Sequence, residues 1–315
     1  MELFRALGSL IEVPAPEHRR IAEALGLPPV PDPSVHGAVV AFQRYPYASV
    51  YLGAEGMMGG EARDRIAGFR RALGIGDGAV DGGSARAAAT AEEAAPRRPA
   101  GAAETDHLAS LLGLLAEVEH WQRYESDPAR AALLAEARVT LLWEHIASWT
   151  APYLVSFEAC GAPFYETWAA LLGETLAQLE AEMAFPSYLP AALRTAAAIA
   201  DPREEGGTAF LASLLVPVRS GVIVLRDDLV RLGEEAGLAC RAGERRYVLG
   251  SFLAQDPRGT LRWLAGHARE WGARVAGRGP APIARWWAGR AGESAALLSR
   301  LADGADTVAG AGHVP

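Results

Sequence analysis

The chain has 315 residues, 50% of them hydrophobic and 22% charged, which indicates a globular protein with a sizeable core and excludes disordered and small disulfide-stapled classes. Its 30 basic and 38 acidic residues give a net charge of −8, which argues against a nucleic-acid groove that works by releasing counterions from phosphates. The sequence contains no lysine, so Schiff-base chemistry and a P-loop lysine are both excluded.

Cysteine usage and the chain start both favour a cytoplasmic protein. Cys160 and Cys240 stand far apart and form no C-x-x-C pair, which is typical of a reducing compartment and offers no cysteine metal site. Residues 1–8 lack the basic start and long apolar run of a secretory signal. Uncharged stretches such as 206–218 are too short to cross a bilayer. We therefore expect a cytoplasmic protein with no membrane insertion.

Apolar residues at helical spacing predict four helices in the first 75 residues. The expected stretches, numbered from the pattern and its proline and glycine signals, are 3–11, 17–25, 34–45 and 60–73. We interpret residues 1–75 as the N-terminal helices of a bundle. The pattern then disappears over 76–103, which is rich in Gly, Ala and Asp and is predicted to be a flexible linker.

A central helical bundle is predicted over 104–205. Leucine periodicity favours a helix over 104–124, and Asp127-Pro128 is an N-cap followed by a first-turn proline that begins the next helix. That helix should continue to about Trp149 and then break or kink at Pro152. Two more helices are expected, over 164–183 and 189–200.

Residues 206–315 are predicted to form a C-terminal helical extension. A polar loop over 201–207 should precede it, and the expected helices are 226–236, 244–254, 258–275, 283–290 and 293–301. Only Gly221–Leu225 has the short β-branched character of a strand, so no sheet can form. The predicted class is all-α.

Two E-x-x-H pairs raise the possibility of a metal site, since a carboxylate and an imidazole at this spacing share one helix face. Glu104 with His107 and Glu117 with His120 lie on one predicted helix, about 20 Å apart along its axis, whereas a di-iron site needs them on facing helices. We expect no metal and no cofactor. A metal-binding enzyme built on these pairs is the alternative.

Neighbouring acids and histidines also offer candidate acid/base pairs. Asp106 precedes His107, and Glu144 precedes His145, and a nearby carboxylate raises an imidazole pKa. No Ser or Cys lies in a recognisable nucleophile elbow, and a lone histidine on a bundle helix is more often structural. We predict that the protein is not an enzyme.

Three motifs occur in order along the chain: Glu104-x-Asp106-His107 at the start of a leucine-rich helix, His145-x-x-x-Trp149-x-x-Pro152, and Pro163-Phe164-Tyr165. Their order and spacing resemble those of the TorD/DmsD family of molybdoenzyme chaperones, and the similarity covers about residues 2–200. It implies an all-helical protein that binds the twin-arginine signal peptide and the apo form of a molybdenum oxidoreductase catalytic subunit. Such a chaperone assists cofactor insertion before export. The linker and the C-terminal extension depart from the compact family.

The resemblance and the residue chemistry together predict a recognition site. Carboxylates bind guanidinium groups bidentately, and a groove lined by aromatic rings suits an apolar peptide segment. We place Glu104, Asp106 and His107 in the recognition patch, His145 and Trp149 beside it, and Tyr47 and Tyr51 on the rim. Core packing is the ordinary role for such rings, and His107 could equally be a structural clasp between helices.

The oligomeric state expected for such a chaperone is a monomer or a homodimer. A second alternative to the signal-peptide chaperone is a purely structural assembly subunit that binds a folded partner. A client from which the signal peptide has been deleted separates the two, because it should keep binding only to the assembly subunit.

Overall fold

The computed structural model describes residues 2–74, 105–240 and 243–310. Every regular element in these ranges is a helix, and β-type pairing there is limited to one antiparallel bridge between Tyr47 and His107. The prediction of an all-α fold is confirmed. The linker predicted over 76–103 and the candidate residue Glu104 lie outside the described residues.

The N-terminal region places short helices around the later bundle. They are α1 (Glu2–Ser9), α2 (Pro16–Ala24), α3 (Pro33–His36), α4 (Ala48–Leu52) and α5 (Gly60–Ala72). The third helix continues into a π-helical turn, Gly37–Ala41, and ends earlier than predicted. α1 packs against α6, and the indole N–H of Trp168 donates to the Leu7 carbonyl (2.9 Å).

The central region, described from residue 105 onward, contains five α-helices. They are α6 (Leu108–Tyr124), α7 (Pro128–Thr140), α8 (Ala147–Val155), α9 (Pro163–Glu182) and α10 (Ala191–Thr195). As predicted, the Asp127 carboxylate caps α7 by accepting the Ala129 N–H (3.0 Å). The turn between α8 and α9 makes these two helices neighbours, so their adjoining faces can enclose a groove.

The sequence predicts a break or a kink at Pro152, and no break occurs there. Pro152 lies inside α8, and the helix irregularity is instead a π-helical turn, Leu141–Ile146, that joins α7 to α8. A proline cannot bond the carbonyl four residues earlier. That carbonyl, Ser148 O, accepts the indole N–H of Trp287 (2.9 Å). The C-terminal region therefore satisfies the carbonyl that Pro152 leaves free.

The C-terminal region is also helical. It contains α11 (Pro202–Glu205), α12 (Gly207–Leu214), α13 (Pro217–Ser220), α14 (Arg226–Ala236), α15 (Arg245–Gln255), α16 (Pro257–Ala276) and α17 (Ala281–Gly310). The loop expected over 201–207 is wrong because Asp201 caps a short helix there. The two helices expected over 283–290 and 293–301 are one helix, α17, which packs along α16. Gly272 on α16 allows this close approach, because a Cβ there would lie 3.3 Å from that of Ala291.

An extended segment joins the C-terminal helices to the rest of the core. Residues 222–225, part of the stretch considered as a strand, are buried and pair with no strand in the described ranges. Gly221 has φ +72°, and a side chain there would overlap the backbone of Ala291. The hydroxyl of Ser294 also donates to Ser220 O (2.7 Å). α17 is thus held directly against this segment.

None of the helices in the described ranges has both the length and the apolar character that crossing a membrane requires. The two long C-terminal helices, α16 and α17, instead bury one apolar face each within the shared core, which also includes residues of α1, α6 and α9. A one-sided apolar stripe is typical of a helix that packs within a globular core.

Candidate functional site

Asp106 lies two residues before α6 and holds the start of α4. Its carbonyl accepts the Ala48 N–H (3.0 Å), and its carboxylate accepts the Ser49 N–H (3.1 Å). The Leu108 N–H donates in turn to Pro46 O (2.8 Å). Asp106 is 0% exposed. Its carboxylate accepts one backbone N–H through Oδ2, and its Oδ1 is buried with no hydrogen-bond partner among the described residues, so the group has no surface to offer a peptide.

His107 completes this contact from the next position. Its Nδ1 accepts the Ala109 N–H (3.2 Å), which caps α6, and its ring packs edge-on against Tyr47 with 4.9 Å between ring centroids. The geometry fits the structural alternative, in which His107 joins helices. We call the contact of Asp106 and His107 with residues 46–49 the Asp106–His107 clasp.

The positions predicted for Tyr51 and Trp149 are wrong, because both side chains lie in the core. Trp149 is 0% exposed and Tyr51 is 2% exposed. Their rings stack with centroids 5.1 Å apart, and Tyr153 packs against both. Burial raises the pKa of the Tyr51 hydroxyl above its ordinary value. Of the two tyrosines placed on the rim, only Tyr47 is partly exposed.

His145 is half-buried beside a cavity of about 80 Å³. Burial, with a smaller contribution from the Arg65 charge, lowers the pKa of His145 to about 4. Its ring packs against Phe69, with centroids 5.3 Å apart. The neighbouring Glu144 carboxylate accepts the Ala191 N–H (2.8 Å). Glu144 thus holds α10 in place, and His145 is neutral at physiological pH.

The metal-site alternative gains no candidate site from the structure. No group of three or more His, Cys, Asp or Glu side chains converges anywhere in the described residues. His120 is exposed on α6, and its ring packs against Tyr124 with centroids 4.8 Å apart, while His107 belongs to the clasp. The first E-x-x-H pair includes Glu104, which lies outside the described residues.

An open groove lies between α8 and α9, with a volume of about 260 Å³. Its floor is built from small and aliphatic side chains: Ala151, Leu154 and Val155 of α8, and Ala169, Gly173 and Ala177 of α9. The last three recur every four residues, so they share one face of α9. Because their side chains are small, a bound segment can approach the helix backbone closely. We call this feature the α8–α9 groove.

Four glutamates also line the α8–α9 groove: Glu158, Glu166, Glu174 and Glu180. The last three follow the α9 face for about 21 Å at 1.5 Å per residue. Glu158 pairs with Arg278 (2.7 Å between Nη2 and Oε1), and Glu166 accepts the Gly161 N–H (2.9 Å). Glu174 and Glu180 pair with no described residue. The groove therefore presents unpaired carboxylates beside an apolar floor.

Glu180 is the half-buried acid near the C-terminal end of α9. Burial raises its pKa to about 7, and no positive charge opposes the shift. A guanidinium placed beside Glu180 would stabilise the carboxylate and lower this pKa again.

Among the described residues, the α8–α9 groove has no aromatic ring or histidine in its lining, so the residue types that mark a candidate site in the sequence do not indicate it. Its signal is the helical spacing of acids around small residues in 166–180, a pattern equally typical of a solvent-exposed face. Only the packing of α8 beside α9 distinguishes a groove wall from a solvent-exposed helix face. Comparisons of this chain with protein-family models, with curated proteins and with solved structures find no match.

Proposed function

We propose that the protein is a cytoplasmic chaperone of the TorD/DmsD type. It would bind the twin-arginine signal peptide of a molybdenum oxidoreductase catalytic subunit and retain the apo form until the cofactor is inserted. The observation that carries the proposal is the α8–α9 groove, where an apolar floor lies beside unpaired glutamates. The motif resemblance described above supports the choice of family.

The two parts of such a peptide match the two surfaces of the groove. Its guanidiniums suit the carboxylates of Glu174 and Glu180, since a carboxylate can accept two parallel N–H bonds from one arginine. Its apolar stretch suits the floor formed around Gly173. The face of about 21 Å has room for about six residues of extended chain.

Charge favours a cationic ligand over a neutral or anionic one. Ionised Glu180 is costly because it is half-buried and unpaired, and a bound guanidinium removes that cost. The net charge of −8 attracts a basic peptide at longer range and speeds encounter. In this proposal Asp106 and His107 hold the fold and do not touch the peptide.

Isothermal titration calorimetry tests the proposal with a synthetic peptide that carries Arg-Arg followed by an apolar stretch. The matched peptide replaces Arg-Arg by Gln-Gln. We expect the arginine peptide alone to bind, and the double variant Glu174→Gln/Glu180→Gln to weaken binding by about tenfold or more, as expected for charge-assisted hydrogen bonds. Glu136→Gln, an exposed acid on α7, is the control and should bind normally.

Two results overturn the proposal: no binding of the arginine peptide, or equal binding of both peptides. A pull-down with a client that lacks its signal peptide addresses the assembly-subunit alternative. Most binding should be lost under the proposal, whereas full retention would favour a subunit that recognises a folded partner.

A further inference from the structure

One acid of the α8–α9 groove already holds a guanidinium that belongs to the chain itself. Arg278 lies in the turn between α16 and α17, and its Nη2 is 2.7 Å from Oε1 of Glu158. Arg274, one turn earlier on α16, reaches the other carboxylate oxygen at 4.0 Å. Both Glu158 and Arg278 line the groove. The C-terminal extension thus supplies the same chemical group that the proposed ligand carries.

We infer that Arg278 is a built-in competitor, which occupies Glu158 in the free protein and is displaced when a ligand arginine binds there. This inference rests on the proposed function. It adds two features to it: Glu158 becomes part of the ligand site, and the C-terminal extension tunes the affinity of that site.

The backbone of the turn is adapted to bring Arg278 to the groove. Gly277 follows the end of α16, and the Arg278 N–H closes the turn on Val275 O (2.9 Å). Gly279 has φ +69°, and a Cβ there would lie 3.0 Å from the Cβ of Ala151 on the groove floor. Glycine at 279 therefore permits both the left-handed backbone and the close approach to α8.

The contact is weak enough for a ligand to displace it. The side chain of Arg278 is 60% exposed and that of Glu158 is 34% exposed, and exposed ion pairs contribute little because water and salt screen them. A peptide that also buries apolar surface along α9 has an additional source of affinity that Arg278 lacks. Arg278 should thus reduce the affinity of the groove without closing it.

Calorimetry with the Arg-Arg peptide on three full-length proteins tests the inference: the native chain, Arg278→Gln and Arg262→Gln. Arg262 is an exposed arginine of α16 that pairs with Asp303 (3.7 Å) and does not line the groove. Both variants remove one positive charge from the extension, so the long-range electrostatic attraction between the protein and the peptide changes equally in both. Arg278→Gln should bind about two- to fivefold more tightly than Arg262→Gln, the range set by an exposed ion pair.

A double-mutant comparison locates the effect at Glu158. In a Glu158→Gln background, Arg278→Gln should change affinity no more than Arg262→Gln does, because the competitor has lost its site. If Arg278→Gln binds no more tightly than Arg262→Gln while the native chain binds the peptide, the competitor is disproved and the proposed function stands. If neither the native chain nor any variant binds the peptide, the proposed function fails and the inference fails with it. Circular dichroism melting verifies that each variant is folded.

Discussion

The Asp106–His107 clasp and the α8–α9 groove hold their carboxylates in opposite environments. The Asp106 carboxylate is fully buried and accepts a backbone N–H of the α4 region, whereas Glu174 is exposed beside an apolar floor and pairs with no described residue. A buried acid that serves the backbone cannot be released without a large cost. An exposed, unpaired acid is free for a ligand. Chemically distinctive motifs can thus serve folding, while an ordinary helix face remains available for binding.

The largest expected change in the free energy of unfolding comes from a core residue that packs against α4. Trp149→Ala should lower the free energy of unfolding by about 3–5 kcal/mol, because it removes a fully buried ring that stacks on Tyr51. Urea unfolding followed by circular dichroism measures the change. Glu174→Gln, on the exposed groove wall, should stay within about 0.5 kcal/mol of the native chain. If the Trp149→Ala protein is as stable as the native chain but no longer binds the peptide, Trp149 belongs to the binding site.

A smaller loss of stability is expected from a substitution in the clasp. Asp106→Ala leaves the Ser49 N–H without its carboxylate acceptor, so the free energy of unfolding should fall by about 1–3 kcal/mol. Calorimetry at a temperature where the variant remains folded should give the native peptide affinity. If Asp106→Ala is as stable as the native chain but binds the peptide poorly, the clasp takes part in binding and the assignment of binding to the groove is contradicted.

A third expected effect is a pH dependence of peptide affinity, which tests the role of Glu180 in the groove. Because the pKa of Glu180 is about 7, its carboxylate is mostly neutral at pH 6 and mostly ionised at pH 8. Affinity for the Arg-Arg peptide should rise by up to about tenfold over this range, in step with the ionised fraction. Glu180→Gln should remove this rise. Titrations at pH 6, 7 and 8 test it, and an unchanged pH profile in the variant would exclude Glu180 from the site.

The same ionisation also affects the stability of the protein in the absence of peptide. The pKa of Glu180 is higher in the folded chain than its ordinary value, so the folded state binds more protons between the two values. This group therefore makes the free protein less stable as pH rises towards and through 7, opposite to a paired carboxylate. Thermal melts of native and Glu180→Gln proteins should diverge with rising pH, with the variant relatively more stable at pH 8.

Much of the fold could be predicted because its signals are local. The helix predicted over 226–236 matches α14, Arg226–Ala236, and the predicted capping residue Asp127 begins α7 with a proline after it. The errors arise from contacts distant in sequence. Pro152 stays inside α8 while a tryptophan of α17 binds the carbonyl it leaves free, and no local pattern specifies that partner.

The candidate site was less predictable than the fold for a similar reason. Helical spacing places Trp149 on a helix and predicts none at Tyr51, which lies on α4, and the burial of both rings depends on α4 packing against α8. The acids of α9 have the spacing of any solvent-exposed face, and only the neighbouring α8 and the 277–279 turn make that face one wall of a groove. Residue chemistry alone was therefore a poor guide to where the candidate site lies.

Hydrogen exchange measured by mass spectrometry, with and without saturating Arg-Arg peptide, tests the central claim most directly. A ligand in the α8–α9 groove should slow exchange in peptides from 150–158 and 166–180 and leave 46–51 and 106–110 unchanged. Slower exchange confined to 46–51 and 106–110 would place the ligand at the Asp106–His107 clasp and contradict the assignment of binding to the groove.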